Sequence, residues 1–155
     1  RWTWDGAEFR VLHPRRNTRW RGNNASCVLE VTVGNHRLLL TGDIESPVEK
    51  LLAHRDRLRA ADVVFVPHHG SRTSSTDSLV RATRPEIALI SAGFRNRWGQ
   101  PAEAVTDRWR RAGARVINSA EAGGISQRLC VDSGPQELRA TRFARRRVWS
   151  PPPAR

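Results

Sequence analysis

Three segments of this chain place reactive side chains directly behind strongly apolar runs. Leu38-Leu39-Leu40 leads into Thr41-Gly42-Asp43, and Val63 to Val66 leads into Pro67-His68-His69-Gly70-Ser71. Ile87 to Ile90 leads into a loop running from Gly93 to Gln100. In α/β folds, functional groups gather where strands end at their carboxyl edge. An ionised Asp43 there needs a helix N-terminus, an arginine or a metal beside it. The simpler alternative is that Asp43 only caps the helix beginning near Pro47. The two adjacent histidines offer more chemistry, since neutral imidazole ligates metals and imidazolium donates to a leaving oxygen. A pair of core histidines is the competing reading. His13, His36 and His54 lack such a context and are read as ordinary packing or surface residues.

The elements that must position these groups follow from periodicity and punctuation. Phe9 to His13 reads as a strand ended by Pro14, followed by a basic loop from Arg15 to Arg21. Cys27 to Val33 alternates apolar and polar residues, Gly34-Asn35 turns, and His36 to Leu40 returns, which predicts a β-hairpin. Ser46, as cap, and Pro47 predict a helix reaching Arg59, with Leu51, Leu52 and Leu58 as its apolar stripe. Asp62 to Val66 and Ile87 to Ser91 read as buried strands, with a helix between them capped by Ser75 or Thr76. Pro101 to Ala112 reads as a helix ended by Gly113, and Arg115 to Asn118 and Ile125 to Val131 as closing strands. A hairpin followed by alternating strands and helices predicts an α/β layered fold with a mixed sheet and flanking helices. Residues 1–133 form the expected domain, and residues 134–155, with Arg145-Arg146-Arg147 and Pro151-Pro152-Pro153, a basic, proline-rich disordered tail.

The chain has 155 residues, enough for one domain with a core, and a formal charge of +12. Of its 27 basic residues a single one, Lys50, is lysine. Codon bias explains the choice of arginine, but not the excess over 15 acidic residues. Such an excess favours a polyanion partner. Trp20 and Trp98, set among basic residues, are candidates for stacking on bases, with core packing as the alternative. No apolar run is long enough to cross a membrane, and no signal-peptide pattern is present. Cys27 and Cys130 are expected to be buried free thiols, with a disulfide as the other possibility. The absence of methionine, even at position 1, suggests a piece of something longer.

Four segments carry a family resemblance. Asn23-Asn24-Ala25-Ser26-Cys27-Val28-Leu29, Leu39-Leu40-Thr41-Gly42-Asp43-Ile44-Glu45, Val66 to Ser75, and Ser91 to Pro101 resemble the C-terminal soluble domain of ComEC/Rec2-type DNA-internalisation (competence) proteins. The resemblance runs in continuous order from about residue 8 to residue 131. It implies a metallo-β-lactamase-type αβ/βα sandwich, of which this chain would be the C-terminal half. It further implies a metal-dependent hydrolase, a nuclease-type phosphodiesterase, within a bacterial DNA-uptake channel. Asp43 would then be a metal ligand and His68 and His69 catalytic groups beside the metal, which would be zinc or manganese. Asn23, Asn24, Ser26, Ser71, Asn96 and Gln100 would line the same edge as substrate or supporting residues. The implied partners are DNA, single-stranded or undergoing degradation, and the N-terminal half and membrane channel of an inner-membrane parent protein.

Two departures temper those implications. The superfamily's His-rich HxHxDH-type segment, expected upstream, is absent from Arg1 to Arg21. Gln100 stands where family members carry a histidine, and a neutral amide binds zinc more weakly than imidazole. The chain by itself is therefore expected to bind metal weakly or not at all. A degenerate domain that binds or guides DNA is the alternative, and a stand-alone hydrolase of another ester a second one. If Gln100 replaces a ligand, Gln100→His raises zinc affinity by at least the about tenfold that an outer-shell partner alone contributes. Titration calorimetry showing no change would exclude a ligand role at that position.

Overall fold

The computed structural model describes residues 1–55 and 57–144. Strands β1 (Trp2–Trp4), β2 (Ala7–His13), β3 (Val28–Val33) and β4 (His36–Leu40) form an antiparallel meander. Strands β5 (Val63–Phe65), β6 (Ile87–Ile90) and β7 (Arg115–Asn118) then add in parallel, giving one seven-stranded sheet in chain order. Parallel neighbours require crossovers, supplied by α1 (Ser46–His54), α2 (Asp77–Thr83) and α3 (Glu103–Arg111). Successive right-handed crossovers in one direction lay the three helices on one face. The mixed α/β sheet with flanking helices expected from the sequence is thus what forms.

Strand alternation divides the core into two layers. Leu12, Val28, Leu39, Val64, Ala88 and Ile90 face the helices, where they meet Val48, Leu52, Leu79, Val80, Val105 and a fully buried Trp109. On the opposite face Val63, Ile87, Leu89 and Ile117 pack against Ala122, Ile125, Leu138 and Ala140. These come from a small layer not expected from the sequence: α4 (Ser119–Ala122), β8 (Ile125–Ser126), β9 (Leu129–Cys130), β10 (Gly134–Pro135), β11 (Arg139–Ala140) and α5 (Thr141–Ala144). β8 pairs with β11 and β9 with β10, so the single strand expected over Ile125 to Val131 is broken between two ribbons. Residues 134–144, assigned by composition to the tail, are tied down here: Ala140 is buried and the Thr141 N–H donates to the Gly124 carbonyl at 2.9 Å. The rest of that tail, 145–155, lies outside the described residues.

Element ends differ from expectation for local reasons. Helix α1 stops at His54 rather than Arg59, because Arg57 turns back to donate to the Leu12 carbonyl and Arg59 pairs with the buried Glu30 on β3. Glu45, not Ser46, occupies its cap position, and Ser46 instead donates its N–H to the Thr73 carbonyl at 3.0 Å. Pro101 lies outside α3, packed against Gly70. Trp20 packs against the first core layer, edge-on to His13 at 5.2 Å, so it is a packing residue. The cysteines are free but not buried, since Cys27 is exposed and Cys130 half-buried in the short β9.

The face opposite the helices is covered only over part of its width. Register places Trp2 opposite Phe9, Phe9 opposite Val31, and Val31 opposite Leu38 on that face. Trp2 stacks on Phe9 at 5.1 Å, yet Trp2 is 47%, Trp4 74% and Val11 43% exposed. A continuous apolar surface of this kind drives association. The chain alone is expected to self-associate with rising concentration in analytical ultracentrifugation, and Trp4→Ser with Val11→Thr to weaken that association. A monomer across the whole range would contradict this account of the face.

Candidate functional site

Because β4, β5 and β6 are parallel, their carboxyl ends lie at one edge, and the loops after Leu40, Phe65 and Ile90 emerge together. β3 runs the other way, so the single 3-10 turn before it, Gly22–Ala25, arrives at the same edge. Backbone bonds stitch the loops to one another. The His68 N–H donates to Gly42 O at 3.1 Å, and the Ala102 N–H to Gly70 O at 2.9 Å. Two glycines are demanded by close approach as well as by φ. A Cβ on Gly42 (φ +57) would lie 2.8 Å from the Ser26 Cβ, and one on Gly70 (φ +79) 2.6 Å from the Pro101 Cβ.

His68 (φ +48) and His69 (φ +55) both adopt left-handed backbone immediately before Gly70. Each such non-glycine residue costs roughly 1–2 kcal/mol, which the surrounding loops must offset. The turn sends the two rings, 6.3 Å apart at their centroids, into different networks. His69 Nδ1 lies 2.7 Å from the Ser91 carbonyl. A carbonyl only accepts, so Nδ1 carries the proton, and in the neutral ring Nε2 presents a lone pair. That lone pair faces Asp43 Oδ1 at 3.5 Å. Two electron-pair donors turned toward one space are satisfied by a cation, either a second proton on His69 or a metal ion.

His68 is held differently. Its Nδ1 lies 3.2 Å from Glu45 Oε1 and its Nε2 3.3 Å from the Asn23 amide nitrogen. The proton therefore sits on Nδ1, donated to Glu45, and Nε2 accepts from Asn23. Thr73 Oγ1 donates to Glu45 Oε1 at 2.7 Å, and Asn24 Oδ1 accepts the Glu45 N–H at 3.0 Å. Ser71 Oγ stands 3.1 Å from Thr73 Oγ1.

The structure thus brings Asp43, His68, His69, Asn23, Asn24, Ser26 and Ser71 to one edge. Asp43 is not a helix cap: it faces His69. Asn96 and Gln100 belong to the adjoining loop. Asn96 builds it from within, its Nδ2 donating to Gly93 O and Gln100 O and its Oδ1 accepting from the Trp98 and Gln100 N–H groups. Its amide is thereby engaged with its own loop. Glu45 and Thr73 were not singled out from the sequence. The available signal was a second carboxylate, Glu45, two residues after Asp43 in the same loop behind β4.

Asp43 and His69 have the donor chemistry of two metal ligands, with Ser91 O as the outer partner that fixes the ring. A catalytic zinc takes three protein ligands. Among the described residues no group of three or more His, Cys, Asp or Glu side chains is placed to hold a metal ion. The residues present fit one side of a metal site and not a complete one.

This edge is built from loops at the ends of a mixed α/β sheet and furnished with Asp and His, as one side of a metal site would be. A family model of the metallo-beta-lactamase superfamily matches residues 1–93, and the chain belongs to that superfamily. It is 35% identical over 143 residues, 92% of the chain, to Recombination protein 2 of Haemophilus influenzae. It is 36% identical over 126 residues, 81% of the chain, to Competence protein ComA of Neisseria gonorrhoeae. It is 34% identical over 121 residues, 78% of the chain, to ComE operon protein 3 of Bacillus subtilis. The resemblance to ComEC-type proteins read from the four segments is borne out. The chain spans only 18%, 18% and 16% of the length of these relatives.

Behind the edge lies a fully buried carboxyl. Glu49 on α1 accepts the N–H groups of Ser75 and Thr76, both at 2.6 Å, and so fixes the segment between the histidine turn and α2. Burial holds its pKa above the ordinary carboxylate range, although those N–H bonds and Arg108 pull it down. The native state then keeps this proton to higher pH than the unfolded chain does. Stability from this group is therefore fully present at low pH and declines as pH rises through the raised value. Glu49→Gln is expected to cost about 1–3 kcal/mol at low pH by orphaning one N–H. It should also flatten that decline; a constant difference between wild type and variant in thermal melts across pH would refute the shift.

Proposed function

We propose that this chain supplies one edge of a metal-dependent phosphodiesterase site in the metallo-beta-lactamase-fold domain of a bacterial DNA-uptake protein. The observation that carries the proposal is the Asp43–His69 pair, whose two electron-pair donors face one space at 3.5 Å with the ring fixed by Ser91. The competence names of the relatives supply the substrate class. The charge of +12 agrees with it. So does a cleft of about 500 Å³ that reaches Thr73 and is lined by Lys50, Arg72 and Arg81, with Asp77 there already paired to Arg108. Phosphates following that cleft arrive beside His68, which Thr73 contacts at 3.4 Å.

The two histidines then divide the work. Asp43 and His69 would hold one side of a zinc or manganese ion, with ligands from elsewhere in the parent protein, and such an ion would supply Lewis acidity toward the phosphate. Ser91 holds the His69 ring in the tautomer that presents Nε2. Glu45 accepts the His68 Nδ1–H and fixes the ring with Nε2 toward Asn23, which makes His68 the candidate for proton transfer at the leaving oxygen. Asn24 and Thr73 hold Glu45 in place for that task. A second reading is a non-catalytic domain that guides DNA, favoured by Gln100 in the place of a histidine.

The full-length parent protein incubated with linear DNA and manganese or zinc is expected to cleave it, and to stop on chelation. Asp43→Asn and His69→Ala should each lower the rate by at least the roughly 10- to 100-fold associated with loss of an outer-shell partner. Salt-dependent binding without cleavage would establish the guiding role instead. Neither binding nor cleavage at low salt would sink both readings.

A further inference from the structure

The loop from Gly93 to Gln100 presents its aromatics outward. Phe94 is 49% and Trp98 67% exposed, although large apolar rings are ordinarily drawn inside. The exposure is built in, because the Asn96 amide bonds to Gly93, Trp98 and Gln100 and fixes the turn from within. Arginines accompany both rings. The Arg97 guanidinium lies 4.3 Å from the Trp98 centroid, and those of Arg95 and Arg142 each lie 5.3 Å from that of Phe94. Both ends of the loop are fastened to the histidine turn. At its start the Ser91 carbonyl holds His69, and at its end Pro101 packs on Gly70 while the Ala102 N–H reaches Gly70 O.

We infer that this loop is a clamp for an unpaired nucleobase beside the Asp43–His69 pair: Trp98 is the stacking platform, and Arg95 and Arg97 hold the flanking phosphates. The inference rests on the DNA-processing reading above and sharpens it to a single strand. Stacking needs a free base face, which a base inside a duplex does not offer, and every base has one, so the grip is tolerant of sequence. The guanidinium beside Trp98 adds cation–π attraction and places positive charge where the backbone of a stacked nucleotide must pass. A base held there fixes the position of the neighbouring phosphate relative to His69, as a positioning element should.

The test measures the affinity of the chain for an oligothymidylate, an abasic oligonucleotide of equal length and a blunt duplex, by fluorescence anisotropy over a range of salt. Trp98→Ala, Trp98→Phe and Arg97→Gln are compared with wild type, with circular dichroism confirming that each is folded. Wild type should prefer oligothymidylate over the abasic strand by roughly tenfold. Trp98→Ala should abolish that preference and Trp98→Phe keep most of it. Arg97→Gln should lower the log–log salt slope by about 0.7, the loss of one phosphate contact on a single strand. Equal affinity for the oligothymidylate and abasic strands, or a Trp98→Ala variant indistinguishable from wild type, overturns the clamp while leaving DNA binding intact. Absence of binding to any nucleic acid at low salt overturns the DNA reading with it. If Trp98→Ala weakens binding to phosphatidylglycerol vesicles and not to oligothymidylate, the loop is a membrane contact and the clamp is wrong.

Discussion

His68, His69 and Gly70 follow one another at φ +48, +55 and +79, and the rest of the edge is arranged to hold that left-handed turn. Two non-glycine residues in this region cost roughly 1–2 kcal/mol each. The offsets are visible as Gly42 O accepting the His68 N–H, Ser74 Oγ donating to Pro67 O at 2.8 Å, and Pro101 closing on Gly70. The strain does work that a relaxed turn would not. It directs adjacent imidazoles to different carboxylates, Glu45 and Asp43, so that two neighbouring residues make two different sites.

The strands and their order were largely legible, because hydrophobic alternation in β3 and continuous apolar runs in β5 and β6 are strong signals. The convergence of Asp43 with the histidines followed from their common position behind strands. The division between His68 and His69 was not legible, since it depends on positive φ at residues that ordinarily avoid it. Glu45 escaped notice because its importance lies in which side chains reach it from β3's leading turn and from Thr73. The end of α1 and the layer from Ser119 to Ala144 were missed for a related reason. Tertiary contacts, such as Arg59 with Glu30 and Ala140 against the sheet, overrode local pattern.

The arginine excess divides in a way that composition conceals. Arg10 and Arg59 both pair with Glu30, which is 3% exposed and needs them. Arg57 and Arg37 donate to the carbonyls of Leu12 and Ala60, tying the α1–β5 connection to the sheet. Arg108 donates to Ser75 O and pairs with Asp77 across the start of α2. Such arginines are consumed by the fold. Arg95 and Arg97 of the 93–100 loop are exposed and touch aromatic faces instead, so they are among the arginines left available to a polyanion.

What remains at the edge is an imbalance of lone pairs. Asp43 Oδ1 and His69 Nε2 face each other 3.5 Å apart while both stay roughly half-exposed, so water screens the contact and no fold-stabilising ion pair need be invoked. Nor does burial force the arrangement, since neither side chain is enclosed. The feature that does hold it is the Ser91 carbonyl, which anchors the opposite nitrogen of the same ring. A packing role would not require that anchor, whereas a ligand or proton-holding role does, because it depends on which nitrogen is bare. The anchor also makes the chemistry of the edge sensitive to the 91–101 loop. Ser91, which fixes the His69 ring, and the exposed Trp98 belong to that one segment. The tautomer of the imidazole and the placement of Trp98 thus depend on a single loop, because one end of it bonds the ring and the Asn96 amide sets the turn that carries the indole.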